Sequence, residues 1–159
     1  MNIKIFFFFA LITLYSCSET KTKNTILSTE STRPLEVDNN IALALESFSA
    51  FNAHKWEEHS AFFSDSCQNL DPSYGANYVI VNRKDKAAKY KEMESWSPDI
   101  KDSITHIFGS ADKVTIQFIS SGTAKTNKGQ EKWSLPICCV FTFKNGLIVC
   151  DETYYDRGK

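Results

Sequence analysis

The sequence lacks a strong excess of charge of either sign. Its 18 Lys and Arg residues nearly balance 19 Asp and Glu residues, and the formal net charge is −1. Nucleic-acid-binding domains usually carry a basic face that neutralises phosphates, and an acidic tail would show as a run of carboxylates. The composition therefore argues against nucleic acid as a partner. The 159 residues are enough for one domain.

The signatures of several catalytic and metal sites are also missing. None of the five cysteines has the Cys-x-x-Cys spacing of a zinc site, and the sequence contains no glycine-rich phosphate loop. No nucleophile–base–acid triad can be assembled from the spacings. We therefore expect no metal and no cofactor. Cys138 and Cys139 are neighbours on a predicted strand and point to opposite faces. We expect buried thiols and at most one disulfide among Cys67, Cys138, Cys139 and Cys150.

The apolar run at the start of the chain is too short for a permanent membrane span. Ile5 to Tyr15 follows the positive Lys4, whereas a spanning helix needs about 20 residues. This pattern is typical of an export signal. Leu14 to Cys17 resembles the lipobox of bacterial lipoproteins, which implies a lipid on Cys17. The alternative is a plain secretory signal. The resemblance predicts a bacterial cell-envelope protein, lipid-anchored to a membrane on its periplasmic or surface side.

Composition divides the chain into four parts. Residues 1–16 are the predicted signal peptide. Residues 17–38 are rich in Ser, Thr, Lys and Glu without a helical or strand period, which predicts a flexible tether. Residues 39–156 form the predicted domain, and residues 157–159 are a short tail.

Three helices are predicted in the first half of the domain. The first begins at Asn39, because Ile41, Leu45, Phe48 and Phe51 recur at helical spacing. A short second helix runs from Trp56 through Phe63. Asn82 caps the third helix, which ends before Ser97 because Pro98 disfavours a helical residue before it.

The second half of the domain reads as strands. A short strand is expected at residues 67–70, and longer ones follow at residues 104–108, 114–120, 133–143 and 147–155. Asn145-Gly146 is a strong signal for a two-residue type I′ hairpin turn. Helices followed by antiparallel strands predict an α+β domain.

Several segments, in this order, resemble the SnoaL-like domains of the nuclear transport factor 2-like superfamily. They are FSAFNAHKWEEHSAFFSDSC, Asp71-Pro72, RKDKAAKYKEM, SPDI and FTFKNGLIVCDETYYD. The similarity covers roughly residues 39–156. The resemblance implies a cone-shaped fold, in which three N-terminal helices pack on a curved, mostly antiparallel sheet and leave a pocket at the wide end. Members include cyclases, isomerases, dehydratases and binding proteins, so the fold leaves the function open.

The register of the last hairpin decides which carboxylate faces the pocket. A regular ladder counted from Asn145-Gly146 places Cys139 opposite Glu152, on the face that carries Phe141. This register directs Glu152 inward and Asp151 outward. A slip of one residue would direct Asp151 inward instead.

Three residues are candidates for acid–base chemistry. Burial would raise the pKa of Glu152 towards neutrality, as in a general acid or base; alternatively, Glu152 lies at a solvated rim. His106 is either an acid–base residue or a packing residue, and Asp71 is either an acid at the pocket mouth or a turn cap. His54 and His59 are expected at the surface. The expected ligand-binding residues are Tyr74, Tyr78, Phe118, Phe141 and Tyr154.

The sequence leaves two functions open. The first is a membrane-anchored domain that binds a small apolar ligand or a protein partner. The resemblance implies a homodimer through the outer sheet face, to which the register assigns Val140, Thr142, Val149 and Thr153. The second is an enzyme of the cyclase, isomerase or dehydratase type, in which Glu152 moves a proton and a Tyr or His106 stabilises an enolate-like oxygen. The incomplete catalytic set favours the first.

Overall fold

The computed structural model describes residues 32–156, with the side chains of residues 32–34 excepted. The predicted signal peptide, Cys17, most of the predicted tether and the tail lie outside this range. In chain order the elements are α1 (Thr32–Asn52), α2 (Trp56–Ala61), β1 (Phe63–Leu70), β2 (Val79–Val81), α3 (Arg83–Trp96), β3 (Lys101–Ser110), β4 (Lys113–Thr126), β5 (Gly129–Lys144) and β6 (Leu147–Tyr154).

The six strands form one sheet in the order β2-β1-β6-β5-β4-β3. β1 and β6 pair in parallel, and the other neighbouring strands pair antiparallel. The helices lie on one face of this curved sheet, which confirms the predicted α+β fold. None of the helices in the described range is long and apolar enough to cross a membrane.

Helix α1 starts earlier than predicted, and residues 32–38 of the predicted tether are helical. The reason is packing against β3 at Gly109, where an added Cβ would lie 2.7 Å from Val37 Cγ1 and 3.2 Å from Ile41 Cδ1. Glycine therefore lets the first turns of the helix approach the sheet. Leu45, which was expected on the inner face, is exposed.

Strand β1 also starts earlier than predicted. The second helix ends at Ala61, and β1 begins at Phe63, where the sequence predicts helix. Phe63 is buried in the core and pairs with Ile148 of β6, so tertiary pairing outweighs the helical pattern. Strand β2, which the sequence analysis did not predict, pairs with β1.

The predicted boundaries of α3 are confirmed. The side chain of Asn82 accepts a hydrogen bond from the Asp85 N–H at 2.9 Å, as expected of an N-cap. The helix ends at Trp96, two residues before Pro98. The two ends of α3 therefore lie at the residues that the cap and Pro98 predict.

Aromatic side chains fill most of the core between the helices and the sheet. The larger cluster includes Phe48, Phe63, Phe118, Phe141 and Phe143. The four cysteines of the described range are all free, and Cys67 and Cys139 are buried.

A β-bulge in β6 changes the register of the last hairpin. The turn itself is as predicted, with positive φ at Asn145 (54°) and Gly146 (74°). Phe143 pairs with Ile148, but Thr142 pairs with Cys150, so Val149 is an extra residue between them. The predicted register is therefore wrong by one residue from this point onward.

Candidate functional site

Beyond the bulge, the two neighbouring carboxylates exchange faces relative to the prediction. Asp151 lies opposite Phe141 and is buried, whereas Glu152 lies opposite Val140 on the outer face. Thr153 follows the same shift and lines the inner cavity. The assignment of Glu152 to the pocket and of Thr153 to the outer face was therefore wrong.

The inner face of the sheet and the helices enclose a cavity of about 470 Å³. This volume lies in the range of sites that hold small organic ligands. Its apolar lining residues include Phe48, Phe51, Phe63, Met93, Phe118, Trp133, Leu135, Ile137 and Phe141. Its polar and charged lining residues include His59, Asp71, Ser73, Lys89, Tyr90, Asp102, Ser120, Asp151, Thr153 and Tyr155.

Asp102 places a buried carboxyl group on the cavity wall. Two hydrogen bonds fix its backbone: its N–H donates to Asn52 Oδ1 and its carbonyl accepts from Asn52 Nδ2, each at 2.8 Å. Burial raises the pKa of Asp102 to about 7, although a hydrogen bond from Ser120 lowers it in part. Within residues 32–156, Asp102 Oδ1 has no hydrogen-bond partner. Asp102 therefore presents an unpaired oxygen that titrates near neutral pH.

Asp151, by contrast, is held by two neighbours, Lys86 and Thr153. Its Oδ2 accepts from Lys86 Nζ at 2.9 Å, and its Oδ1 accepts from Thr153 Oγ1 at 2.8 Å. Lys86 also donates to Asn69 Oδ1 at 2.9 Å and lies 4.0 Å from the centre of the Phe63 ring. The Lys86–Asp151 ion pair thus joins α3 to β6 inside the domain.

His59 was expected at the surface but is buried in the inner wall, with 4% of its surface exposed. Its Nδ1 lies 2.9 Å from the carbonyl oxygen of Ser47 and 3.2 Å from the Ser47 hydroxyl. Burial lowers the pKa of His59 to about 4. Within the described range, its Nε2 has no hydrogen-bond partner. His54, also expected at the surface, is half-buried and bonds Glu94 and the Ile100 carbonyl.

Asp71 lies in the cavity wall and caps a turn, and its role as an acid stays a prediction. It lines the cavity, and its Oδ1 accepts from the Ser73 N–H at 2.7 Å, as a turn cap does. Its Oδ2 lies 2.7 Å from Lys89 Nζ, and Tyr155 donates to its Oδ1 at 3.0 Å. Burial opposes ionisation, but Lys89 and the bonds to Ser73 outweigh it, so the pKa of Asp71 lies below its ordinary value.

The other predicted site residues divide between the cavity and the surface. Phe118 and Phe141 form part of the cavity wall, and their contact with a ligand stays a prediction. Tyr74, Tyr78 and Tyr154 are exposed, and they do not line this cavity.

Two predicted catalytic residues also lie outside the cavity. His106 is exposed and pairs with the exposed Gln117. Tyr78 donates to Glu152 Oε1 at 2.5 Å, and Lys113 Nζ lies 3.8 Å from Glu152 Oε2. Neither His106 nor Glu152 can act on a molecule held in the cavity.

The sequence did contain signals for the residues that were missed. Asp102 lies two positions before Ile104 on the same strand, and strand alternation directs both to one face. Lys86 lies four positions before Tyr90, on the inner face of α3. His59 lies one helical turn after Trp56 and shares its buried face. The charge or polarity of these residues suggested a surface position.

The arrangement suits acid–base chemistry better than metal chemistry. Within the described residues, no group of three or more His, Cys, Asp and Glu side chains is placed to hold a metal ion. A carboxyl group with a pKa near neutrality can accept or release a proton at physiological pH.

Comparison with solved structures identifies the fold. A protein with a ketosteroid isomerase-like fold from Catenulispora acidiphila, in complex with trimethylamine, is 15% identical with a TM-score of 0.63, covering 72% of this chain and 85% of that one. An LEH-like epoxide hydrolase from M. tuberculosis is 15% identical with a TM-score of 0.63, covering 76% and 85%. An NTF2-like protein from Burkholderia pseudomallei is 19% identical with a TM-score of 0.63, covering 74% and 91%.

The sequence comparisons agree with this fold. The search of curated proteins found no significant match. The family model described as SnoaL-like domain matches residues 44–150, which is more than half of the chain. Those residues contain the cavity-lining Asp102 and His59. The chain therefore belongs to the SnoaL-like domain family.

Proposed function

We propose that the cavity binds a small, largely apolar molecule and that Asp102 exchanges a proton with it. The observation that carries the proposal is the unpaired Oδ1 of Asp102 in the cavity wall. A carboxylate in such a place removes a proton from carbon or oxygen and returns it elsewhere on the ligand, as isomerisation, cyclisation and dehydration require.

The environments of the two carboxyl groups favour Asp102 over Asp151 in this role. Burial raises the pKa of Asp102 to about 7, so both protonation states are populated at neutral pH. Asp151 is engaged by Lys86 and Thr153, and a proton acceptor that is already hydrogen-bonded is a weaker base. Asp102 is therefore the group that moves a proton, and Asp151 organises the inner wall.

The solved relatives support chemistry on small molecules in this fold. One is an epoxide hydrolase, and another holds trimethylamine. Trimethylamine is a small molecule that a cavity of about 470 Å³ would admit. We take a ketone with an acidic neighbouring C–H as the substrate class, because a single base suffices to begin its reaction.

Deuterium exchange tests the proposal. The full chain is incubated with β-tetralone in D₂O, and exchange at the carbon beside the carbonyl is followed by NMR. We expect the protein to accelerate exchange and Asp102→Asn to lose about 10²–10⁴-fold, the usual contribution of a general base. Glu152→Gln is the matched control, since Glu152 faces outward, and it should retain exchange.

The outcomes separate catalysis from binding. Retained exchange in Asp102→Asn, or loss in Glu152→Gln, would contradict the assignment of Asp102. Binding of β-tetralone without any accelerated exchange would reject proton transfer and leave a ligand-binding domain, the function that the sequence favoured.

We also propose that the chain is exported and anchored through lipid on Cys17. The support is the sequence of residues 1–17, with its positive start, short apolar run and lipobox-like end. Metabolic labelling with a palmitate analogue should mark the full chain, and Cys17→Ser should abolish the label. Labelling that persists in Cys17→Ser would contradict the proposal.

A homodimer through the outer sheet face is our proposal for the quaternary structure. Large apolar side chains on this face, Tyr78, Ile80, Phe108 and Tyr154, are each about half exposed or more, and exposed apolar patches often mark interfaces. Sedimentation analysis should show a dimer that Ile80→Lys weakens. A monomer at all concentrations would contradict it.

A further inference from the structure

We infer that His59 Nε2 accepts a hydrogen bond from a hydroxyl group of the bound molecule. Together with the ketone class proposed above, this implies a ligand that carries both a carbonyl and a hydroxyl group on an otherwise apolar body. The inference rests on the ligand-binding part of the proposed function and adds a specificity-determining residue to it.

The hydrogen bond of His59 to helix α1 fixes its tautomer. Nδ1 lies 2.9 Å from the Ser47 carbonyl oxygen, and a carbonyl oxygen can only accept. Nδ1 therefore carries the proton. Burial keeps the ring neutral at physiological pH, because the pKa of His59 lies at about 4. Nε2 must then present a lone pair.

The ring lies in the cavity wall with its Nε2 lone pair buried, so a ligand hydroxyl group reaches Nε2 by displacing the side chains that cover it. His59 lines the cavity, whereas Ser47 does not, so the Nδ1 edge of the ring faces away from it. The ring is held by edge contacts with Phe51 and Tyr90, at centroid distances of 5.5 and 5.1 Å, and by a tilted contact with Phe63 at 5.2 Å. Within residues 32–156, no group donates to Nε2.

An unpaired buried acceptor discriminates among ligands by whether they place a hydrogen-bond donor next to it. A hydroxyl group satisfies Nε2, whereas a methyl group or an ether oxygen in the same place leaves it unpaired. One hydrogen bond of this kind changes affinity by about tenfold. His59 therefore selects hydroxyl-bearing ligands from molecules of the same size and shape.

Matched naphthalene probes test the inference. Affinities of the full chain for β-naphthol, β-methylnaphthalene and β-methoxynaphthalene are measured by titration at pH 7. We expect β-naphthol to bind about tenfold more tightly than the other two. His59→Asn keeps a donor for the Ser47 carbonyl but removes the Nε2 acceptor, so it should bind all three equally. Asp102→Asn, which alters the other unpaired acceptor in the cavity, should keep the preference.

A second measurement uses the unmodified protein, so it does not require any variant to fold. The ¹⁵N NMR signal of His59 Nε2 in the unmodified protein should be that of an unprotonated nitrogen, and β-naphthol should shift it while β-methylnaphthalene does not. Equal probe affinities, a preference that persists in His59→Asn, or an unshifted signal would overturn the inference. Failure of all three probes to bind would overturn both this inference and the cavity proposal. Loss of the preference only in Asp102→Asn would assign the hydroxyl to Asp102.

Discussion

The ammonium group of Lys86 lies 2.9 Å from the carboxylate of Asp151, and the two side chains are 3% and 9% exposed. One belongs to α3 and the other to β6, so the pair crosses the core from helix to sheet. Asn69 and Thr153 complete the hydrogen bonding on either side. This full set of partners is what allows two opposite charges to lie inside an apolar interior.

We expect Lys86→Met to reduce the free energy of unfolding by about 3–5 kcal/mol, because it leaves the Asp151 carboxylate buried without its counter-charge. Urea denaturation measures the change. Lys84→Met, at an exposed position of the same helix, is the control and should change stability by about 0.5 kcal/mol or less. The double variant with Asp151→Leu should recover part of the loss. A Lys86→Met protein as stable as the parent would contradict the buried pair.

The raised pKa of Asp102 predicts that the free energy of unfolding depends on pH. The folded state holds the proton up to about pH 7, whereas the unfolded carboxyl loses it near its ordinary value of 3.8. The buried, protonated carboxyl group is therefore compatible with folding below pH 3.8. Stability is lost as the pH rises from 3.8 to 7, by at most about 1.4 kcal/mol per pH unit.

Asp102→Asn removes this dependence. Its stability relative to the parent should increase as the pH rises through the window, as measured by urea denaturation at several pH values. Groups common to both proteins cancel in the comparison. A constant difference between the two proteins would show that the Asp102 carboxyl titrates normally.

The lowered pKa of His59 should make stability depend on pH in the opposite direction. Its pKa falls from 6.5 in the unfolded chain to about 4 in the folded protein, so the unfolded state binds the extra proton. The neutral ring thus contributes stability above pH 6.5 that is lost as the pH falls towards 4. The difference in stability between the parent and His59→Asn should shrink over that range. A pH-independent difference would contradict the buried, neutral imidazole.

Gly109→Ala tests the packing of α1 on β3. The added Cβ would lie 2.7 Å from Val37 Cγ1, and crowding of this kind costs about 1–3 kcal/mol. Thermal unfolding measures the loss. Ser110→Ala, at the exposed neighbouring position, is the control and should have little effect. If both variants unfold alike, the first turns of α1 do not pack against Gly109.

Local signals predicted the elements better than the site. Asn145-Gly146 and the Asn82 cap need only a few neighbouring residues to act, and both lie where the sequence predicts. The bulge at Val149 has no such local signature, because it depends on how β6 fits between two strands. One extra residue was enough to exchange the faces of Asp151 and Glu152.

The burial of polar residues was the second feature that could not be predicted from the sequence. His59 and Asp102 lie in periodic patterns that direct them inward, but an isolated sequence does not show which partner will compensate their burial. Ser47 and Asn52, which anchor His59 and the backbone of Asp102, are 12 and 50 residues away in the chain. Such pairings arise only once the helices pack on the sheet.

The last strand of the domain lies in the middle of its sheet. β6 separates β1, formed near the start of the domain, from β5. During synthesis, β1 and β2 therefore stay without their inner neighbour until residues 147–154 have been added. Contacts between such distant segments slow folding. A chain that stops short of β6 would expose two unpaired strand edges, so we expect the sheet to close only after its last strand has been made.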